Sequence, residues 1–313
     1  MTERPTSQAV RDVLATLFPG ASIDEPTRLT GGASRSTWRC AVDGEGLVVQ
    51  RQTPEAAREM ALEASVLAAA AEVPAPPVIA HVVGDDGISN LVTRHVDGET
   101  IARRILRDDR FEAARGRLVG QLGRAAARTH RIDLADVEGV PAADPLATTR
   151  VSLDELGEPH PTFELAFRWL DDHRPPDRPP TLVHGDLRLG NVIVDESGLA
   201  AVIDWELAFV GNPIADLGWL CAPAWRFGSP LPAAGLGDRE TLLAAYADES
   251  GVDVGLDELI WWEIASSLRW GVICIMQASR HRSGAVRSHE LAAIGRRTCE
   301  TEHDLLLALE GRW

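Results

Sequence analysis

Apolar residues recur at helical spacing over residues 8–18, and the chain then changes to the alternating, glycine-punctuated pattern of strands over 29–40 and 47–51. A helix followed by a hairpin is expected there. Strong helix formers fill 56–71 and stop at Val73-Pro74-Ala75-Pro76-Pro77, where proline removes amide donors and forbids continuation. Strand patterns follow at 78–83 and 90–95, separated by the turn Gly84-Asp85-Asp86-Gly87. Beyond Glu99 the period changes, and 101–106 and 111–131 read as helices with Ala-rich and Arg-rich faces. Residues 141–161 read as irregular, 163–173 as a helix, and the prolines of 175–180 as a stiff lead into Leu182-Val183-His184. A short hairpin is expected within 191–204, and helices at 239–249, 257–279 and 288–309, with no internal repeat. The pattern therefore predicts an α+β protein of two lobes: a small antiparallel-sheet lobe over 1–97 and a larger helical lobe over 98–313, with a cleft between them.

Composition narrows what such a cleft can hold. The chain has 313 residues, 45% hydrophobic and 25% charged, and no segment approaches the eighteen or so continuous apolar residues of a membrane span. The first residues lack the basic-then-apolar layout of a secretory signal, so a soluble, cytoplasmic protein with no membrane partner is expected. Cys40, Cys221, Cys274 and Cys299 form no CxxC pair and read as buried thiols rather than zinc ligands or disulfides. A net charge of -16 argues against a nucleic-acid partner and tolerates a cationic substrate. There is no lysine in the chain, so all 31 residues counted as Lys or Arg are arginine.

The candidate chemistry lies in His184-Gly185-Asp186-Leu187-Arg188-Leu189-Gly190-Asn191, an aspartate five residues before an asparagine on a loop, with Asp204 at the end of the hairpin that comes next. One carboxylate can orient and deprotonate an attacking hydroxyl. An amide and a second carboxylate can hold a magnesium ion, a set that suits phosphoryl transfer because hard oxygen ligands match that ion. Each residue alone is also a common turn or cap residue.

HGDLRLGN followed by VIDWE resembles the catalytic loop and metal-binding motif of the aminoglycoside phosphotransferase family, relatives of the protein kinases whose pattern is HRDLxxxN then DFG. Val96-Asp97-Gly98-Glu99-Thr100-Ile101, Leu217-Gly218-Trp219-Leu220-Cys221 and Trp270-Gly271-Val272-Ile273-Cys274 resemble one branch of it, the kinase-like domain of acyl-CoA dehydrogenase family 10 and 11 proteins. The resemblance implies a protein-kinase-like fold and a small-molecule kinase that uses ATP or GTP with Mg²⁺. Its acceptor would be a hydroxyl of a small molecule, a hydroxyacyl-CoA-type metabolite or an aminoglycoside-like compound. It implies Asp186 as catalytic base, Asn191 and Asp204 as metal ligands, and Arg188 beside the transferring phosphate. Gly31, Gly32 and Ser34 fall in the segment that resembles the loop covering the nucleotide, and Thr93 and His95 on the strand implied to face it. Glu59 and Glu63 both fall where the family keeps an ion-pairing glutamate, with its spacing favouring Glu63.

The chain departs from the family at the third strand, Leu47-Val48-Val49-Gln50-Arg51, where kinases usually carry a lysine and where Arg51 is the one cation on offer. His184 and Asp216 are implied to be architectural. Trp261, Trp262 and Trp270 read as core residues, with one or two available to the acceptor pocket. The alternative function is a catalytically silent nucleotide- or metabolite-binding module. A protein kinase fits less well, because the interval from Trp205 to Asp216 is too short for an activation segment.

Overall fold

In a computed structural model, described for residues 7–29, 35–84 and 87–313, helix α1 (Ser7–Leu17) lays Val10 and Leu14 against a five-stranded sheet. The strands are β1 (Thr27–Arg28), β2 (Ser36–Val42), β3 (Glu45–Gln52), β4 (Val78–Val83) and β5 (Ser89–Arg94), with helix α2 (Ala57–Ala69) between β3 and β4. Their order is β1-β2-β3-β5-β4, and every adjacent pair is antiparallel. Asp43 and Gly44, both at positive φ, close the β2–β3 hairpin, the backbone a two-residue turn demands. Trp38, Cys40, Val42, Leu47, Val49 and Val92 form one core with α1. Because strand side chains alternate, Val48 and Gln50 face the opposite way, into a cleft.

The helical part comprises α3 (Ala102–Arg107), α4 (Glu112–His130), α5 (Pro145–Leu156), α6 (Pro161–Asp172), α7 (Ile214–Cys221), α8 (Arg239–Ser250), α9 (Leu256–Arg282), α10 (His289–Gly295) and α11 (Thr298–Leu309). Strand β6 (Thr181–Val183) pairs with β9 (Phe209–Gly211), and β7 (Val192–Asp195) with β8 (Gly198–Val202). One large core runs through these elements and takes in Met60, Ala64, Val66 and Leu67 of α2. Where the chain crosses from sheet to helices, Glu99 exchanges backbone hydrogen bonds with Val194 of β7 at 2.8 and 3.0 Å. The crossing is therefore tied to the hairpin that carries the candidate chemistry.

Three expectations are corrected. Residues 141–161 are not irregular: Asp144 caps α5 by accepting from the Leu146 amide at 2.9 Å, Pro145 opens the helix, and Gly157 ends it in the left-handed region. Only Leu146, Thr149 and Leu153 are buried, so the apolar signal was thin between flanking prolines. Residues 288–309 form two helices rather than one. Helix α9 is long and apolar enough to cross a membrane by length and composition, yet 72% of its most apolar stretch is buried inside the protein. Of the cysteines, three are buried as expected and Cys299 is exposed.

Candidate active site

Pairing of β6 with β9 delivers His184 to the floor of the cleft, and Asp216, in the first turn of α7, fixes the start of the loop from His184 to Asn191. Its carboxylate accepts from the backbone amides of His184 at 2.8 Å and Gly185 at 2.9 Å, and from His130 Nε2 at 3.1 Å. His130 Nδ1 in turn meets the Tyr246 hydroxyl at 3.0 Å. Asp216 is wholly buried; burial alone would raise its pKa, but the hydrogen bonds from His130 and the His184 amide hold it below the ordinary aspartate value. His184 Nδ1 accepts from the Asp186 amide at 3.2 Å and Nε2 lies 3.2 Å from the Ile203 carbonyl, which assigns a neutral ring with its proton on Nε2. Both residues are architectural.

Gly185 sits at φ +81, and a Cβ there would overlap the Leu207 carbonyl oxygen. Gly185→Ala combines left-handed strain with a backbone clash and is expected to destabilise the fold by at least about 2 kcal/mol, read as a lower urea midpoint at unchanged slope.

Asp186 is held by three donors. Asn191 Nδ2 donates to Oδ2 at 2.6 Å, while Trp219 Nε1 and Arg188 Nε donate to Oδ1 at 2.7 and 3.0 Å. A carboxylate accepts about four hydrogen bonds, which leaves room for one further donor. Trp219 lies on α7, a helix the pattern missed because all eight of its residues are buried and no amphipathic period remains. Arg269, on α9, stacks 4.5 Å from the centre of the Trp219 ring and donates to the Gly185 carbonyl at 3.1 Å. Arg188 stacks at 4.5 Å over Trp225, whose ring meets Trp270 edge-on at 4.7 Å. Thus Trp270 reaches toward the site, whereas Trp261 and Trp262 are core residues. Trp225 and Arg269 carried no motif, and Trp219 stood in the motif Leu217-Gly218-Trp219-Leu220-Cys221 with no role assigned to its indole; the one further hint was nine tryptophans in the chain.

Above the loop lies a cavity of about 330 Å³ lined by Val48, Gln50, Glu63, Thr93, His95 and Asp204 among others. Four of the sequence candidates, Glu63, Thr93, His95 and Asp204, meet there. Gly31, Gly32 and Ser34 lie outside the described residues. Glu59 is exposed and Glu63 buried, which decides between them. Arg51 does not belong to the cleft: it shares the face of Leu47 and Val49, and Gln50 occupies the cleft-facing position. The expectation for Arg51 fails by one residue of strand register.

Glu63 instead pairs with Arg35, just before β2. Arg35 Nη2 also donates to Glu206 at 2.5 Å. Burial pushes the Glu63 carboxyl up to about 7 against the pull of Arg35. Burial disfavours the charged Arg35 in turn, but Glu63 and Glu206 outweigh it and hold the guanidinium above its ordinary value.

The Asn191 carbonyl accepts from the Ile203 amide at 2.9 Å, so the end of the β7–β8 hairpin brings Asp204 back beside Asn191. Asp204 adopts φ 68 and ψ 62, a conformation concentrated at functional sites. The Asn191 amide nitrogen serves Asp186, which leaves its side-chain oxygen for a cation. No cluster of three or more His, Cys, Asp or Glu able to enclose a metal occurs among the described residues. That donor set fits magnesium, which takes one or two protein oxygens and fills its octahedron with phosphate and water oxygens.

A sheet-capped cleft over an ordered carboxylate, with hard oxygen groups beside it, is the frame of a kinase-like phosphotransferase acting on hydroxyl groups. The chain belongs to the phosphotransferase enzyme family, whose model matches residues 25–257. Acyl-CoA dehydrogenase family member 10 of Mus musculus is 43% identical over 98 residues, which is 31% of this chain and 8% of that protein. The aligned stretch is thus a small part of that much longer relative. A structure from Ralstonia eutropha, provisionally assigned as an aminoglycoside phosphotransferase, superposes with a TM-score of 0.77 at 19% identity over 98% of this chain and 99% of that one. The GDP complex of aminoglycoside 2'-phosphotransferase-IIIa superposes at 0.72 and 16% identity over 96% and 99% of the two chains. These likenesses show the protein-kinase-like fold.

Proposed function

We propose that this chain is a Mg²⁺-dependent small-molecule kinase that transfers the γ-phosphoryl group of ATP or GTP to an acceptor hydroxyl. The observation that carries the reading is Asp186, a carboxylate fixed by Asn191, Trp219 and Arg188 with one accepting position left for the hydroxyl proton. In the reaction the acceptor oxygen forms a bond to the γ-phosphorus, its proton passes to Asp186, and the bond from γ-phosphorus to the bridging oxygen breaks to release the nucleoside diphosphate. The nucleotide occupies the cavity between Val48 and Asp204, with Thr93 and His95 at the crossing. Asn191 and Asp204 would hold magnesium, which neutralises phosphate charge when bound. Arg188 has one guanidinium nitrogen on Asp186 and faces the same site, so it is suited to touch both base and transferring group.

The wall beside Asp186 bears on the acceptor. Arg188 and Arg269 contribute guanidinium groups, and Trp225 and Trp270 hold buried indole N–H groups with no partner among the described residues. Donors in an aromatic frame suit an acceptor with a carboxylate, thioester or phosphate near its hydroxyl better than a polycation. Glu300 and Asp304 sit with Arg297 in a neighbouring cavity of about 180 Å³ that also touches Trp270, so the distal end of the acceptor meets mixed charge. Nucleoside diphosphate release should be measured with hydroxyacids, hydroxyacyl-CoA compounds, sugar phosphates and aminoglycosides, with and without magnesium. Magnesium-dependent turnover is expected, with kcat/KM at least about tenfold higher for anionic or thioester acceptors than for polycations. Mg-nucleotide binding with no turnover on any hydroxyl compound would instead favour a catalytically silent module.

A further inference from the structure

Phosphates in the cleft need a cation, and the pairing of that cation with a buried helix glutamate is the usual mark of a competent kinase site. This chain has no lysine. The cleft-facing position of β3 is Gln50, a neutral amide that cannot balance Glu63. Arg51 alternates with Gln50 onto the strand face of Leu47 and Val49 and does not line the cavity, and Arg94, at the crossing end of the cavity, has a half-exposed guanidinium committed to Glu45 at 2.8 Å. Arg35 is differently placed. Its side chain is 5% exposed, it pairs with Glu63, itself 2% exposed, and it reaches Glu206, two residues past Asp204. One guanidinium just before β2 thereby meets both α2 and the turn after Asp204. Its Nε is buried and has no partner among the described residues, a donor position that protein contacts leave open.

We propose that the two tasks of the absent lysine are divided in this enzyme: Arg35 is the positioning residue that holds Glu63 and the Asp204 turn for Mg-nucleotide, and Gln50 presents its amide to the phosphates. This rests on the cleft being the nucleotide site. Glu206 is the more open of the two partners, its carboxylate one-third exposed where that of Glu63 is enclosed. A planar guanidinium serves here because it can hold two carboxylates at once, which a single ammonium does with poorer geometry.

The test is Mg-ATP and Mg-GTP binding to the full chain, followed by thermal shift and by calorimetry, so that no acceptor is required. Arg35→Met with Glu63→Gln removes the pair without stranding a buried charge, and should weaken Mg-nucleotide binding about tenfold or more while the ligand-free Tm stays near wild type. Arg35→Met with Gln50→Lys returns the cation to the strand, within reach of Glu63, and should recover affinity to within about threefold of wild type. A purely structural role would leave affinity unmoved in the first variant and gain nothing from the second. Wild-type affinity in the first, or no recovery in the second, overturns the assignment. Failure of the wild-type chain to bind any Mg-nucleotide overturns it together with the kinase reading, whereas wild-type binding with indifferent variants overturns Arg35 alone.

Discussion

Replacing Asp186 with asparagine is expected to lower kcat for phosphoryl transfer by about 10²–10⁴-fold, the range that loss of a positioned general base costs. The substitution keeps the volume of the side chain and one oxygen for Trp219 and Arg188. It removes the group that takes the hydroxyl proton and sets an amide against the Asn191 donor, now 2.6 Å from Oδ2. Mg-nucleotide binding should survive, because Glu63, Thr93 and Asp204 are untouched, so the loss should appear in kcat rather than in the KM for nucleotide. Steady-state kinetics with any accepted hydroxyl compound checks this. Turnover at the wild-type rate would remove Asp186 from the chemistry.

The largest effect on folding is expected at Asp216. Asp216→Ala strands two backbone amides and the His130–Tyr246 pair in a fully buried space, and should cost about 3–5 kcal/mol. A typical domain has about 5–15 kcal/mol in all, so soluble yield should fall along with the urea midpoint. The carboxyl also leaves a pH signature. Its folded pKa lies below the ordinary value, so its contribution is complete above the pKa of the unfolded chain and is lost as pH falls through the lower folded value. Asp216→Asn should therefore begin less stable at neutral pH and show a shallower acid limb. Equal acid slopes in the two proteins would contradict the assignment.

What could be read from the sequence depended on how locally each feature is encoded. Strand β4 was expected with its bounds correct, and α4 to within a residue or so, because periodic burial repeats along each. The loop from His184 to Asn191 was legible because its groups are contiguous. Helix α7 was not, since burial on all sides erases the period. Arg51 was misassigned because strand parity cannot be fixed by composition: a single step of register exchanges Gln50 for Arg51 at the cleft. Arg35 lies 28 residues before Glu63 and 171 before Glu206, and Trp219 lies 33 beyond Asp186; folding alone makes them neighbours. Long-range charge and indole contacts of this kind have no signature in one chain.

Helix α2 packs through Met60, Ala64, Val66 and Leu67 into the same core as α4 and α9, while β2, β3 and α1 share a separate apolar cluster. The glutamate it carries is consequently anchored to the bulk of the protein. Swinging that helix outward, as a means of silencing the enzyme, would tear open the principal core.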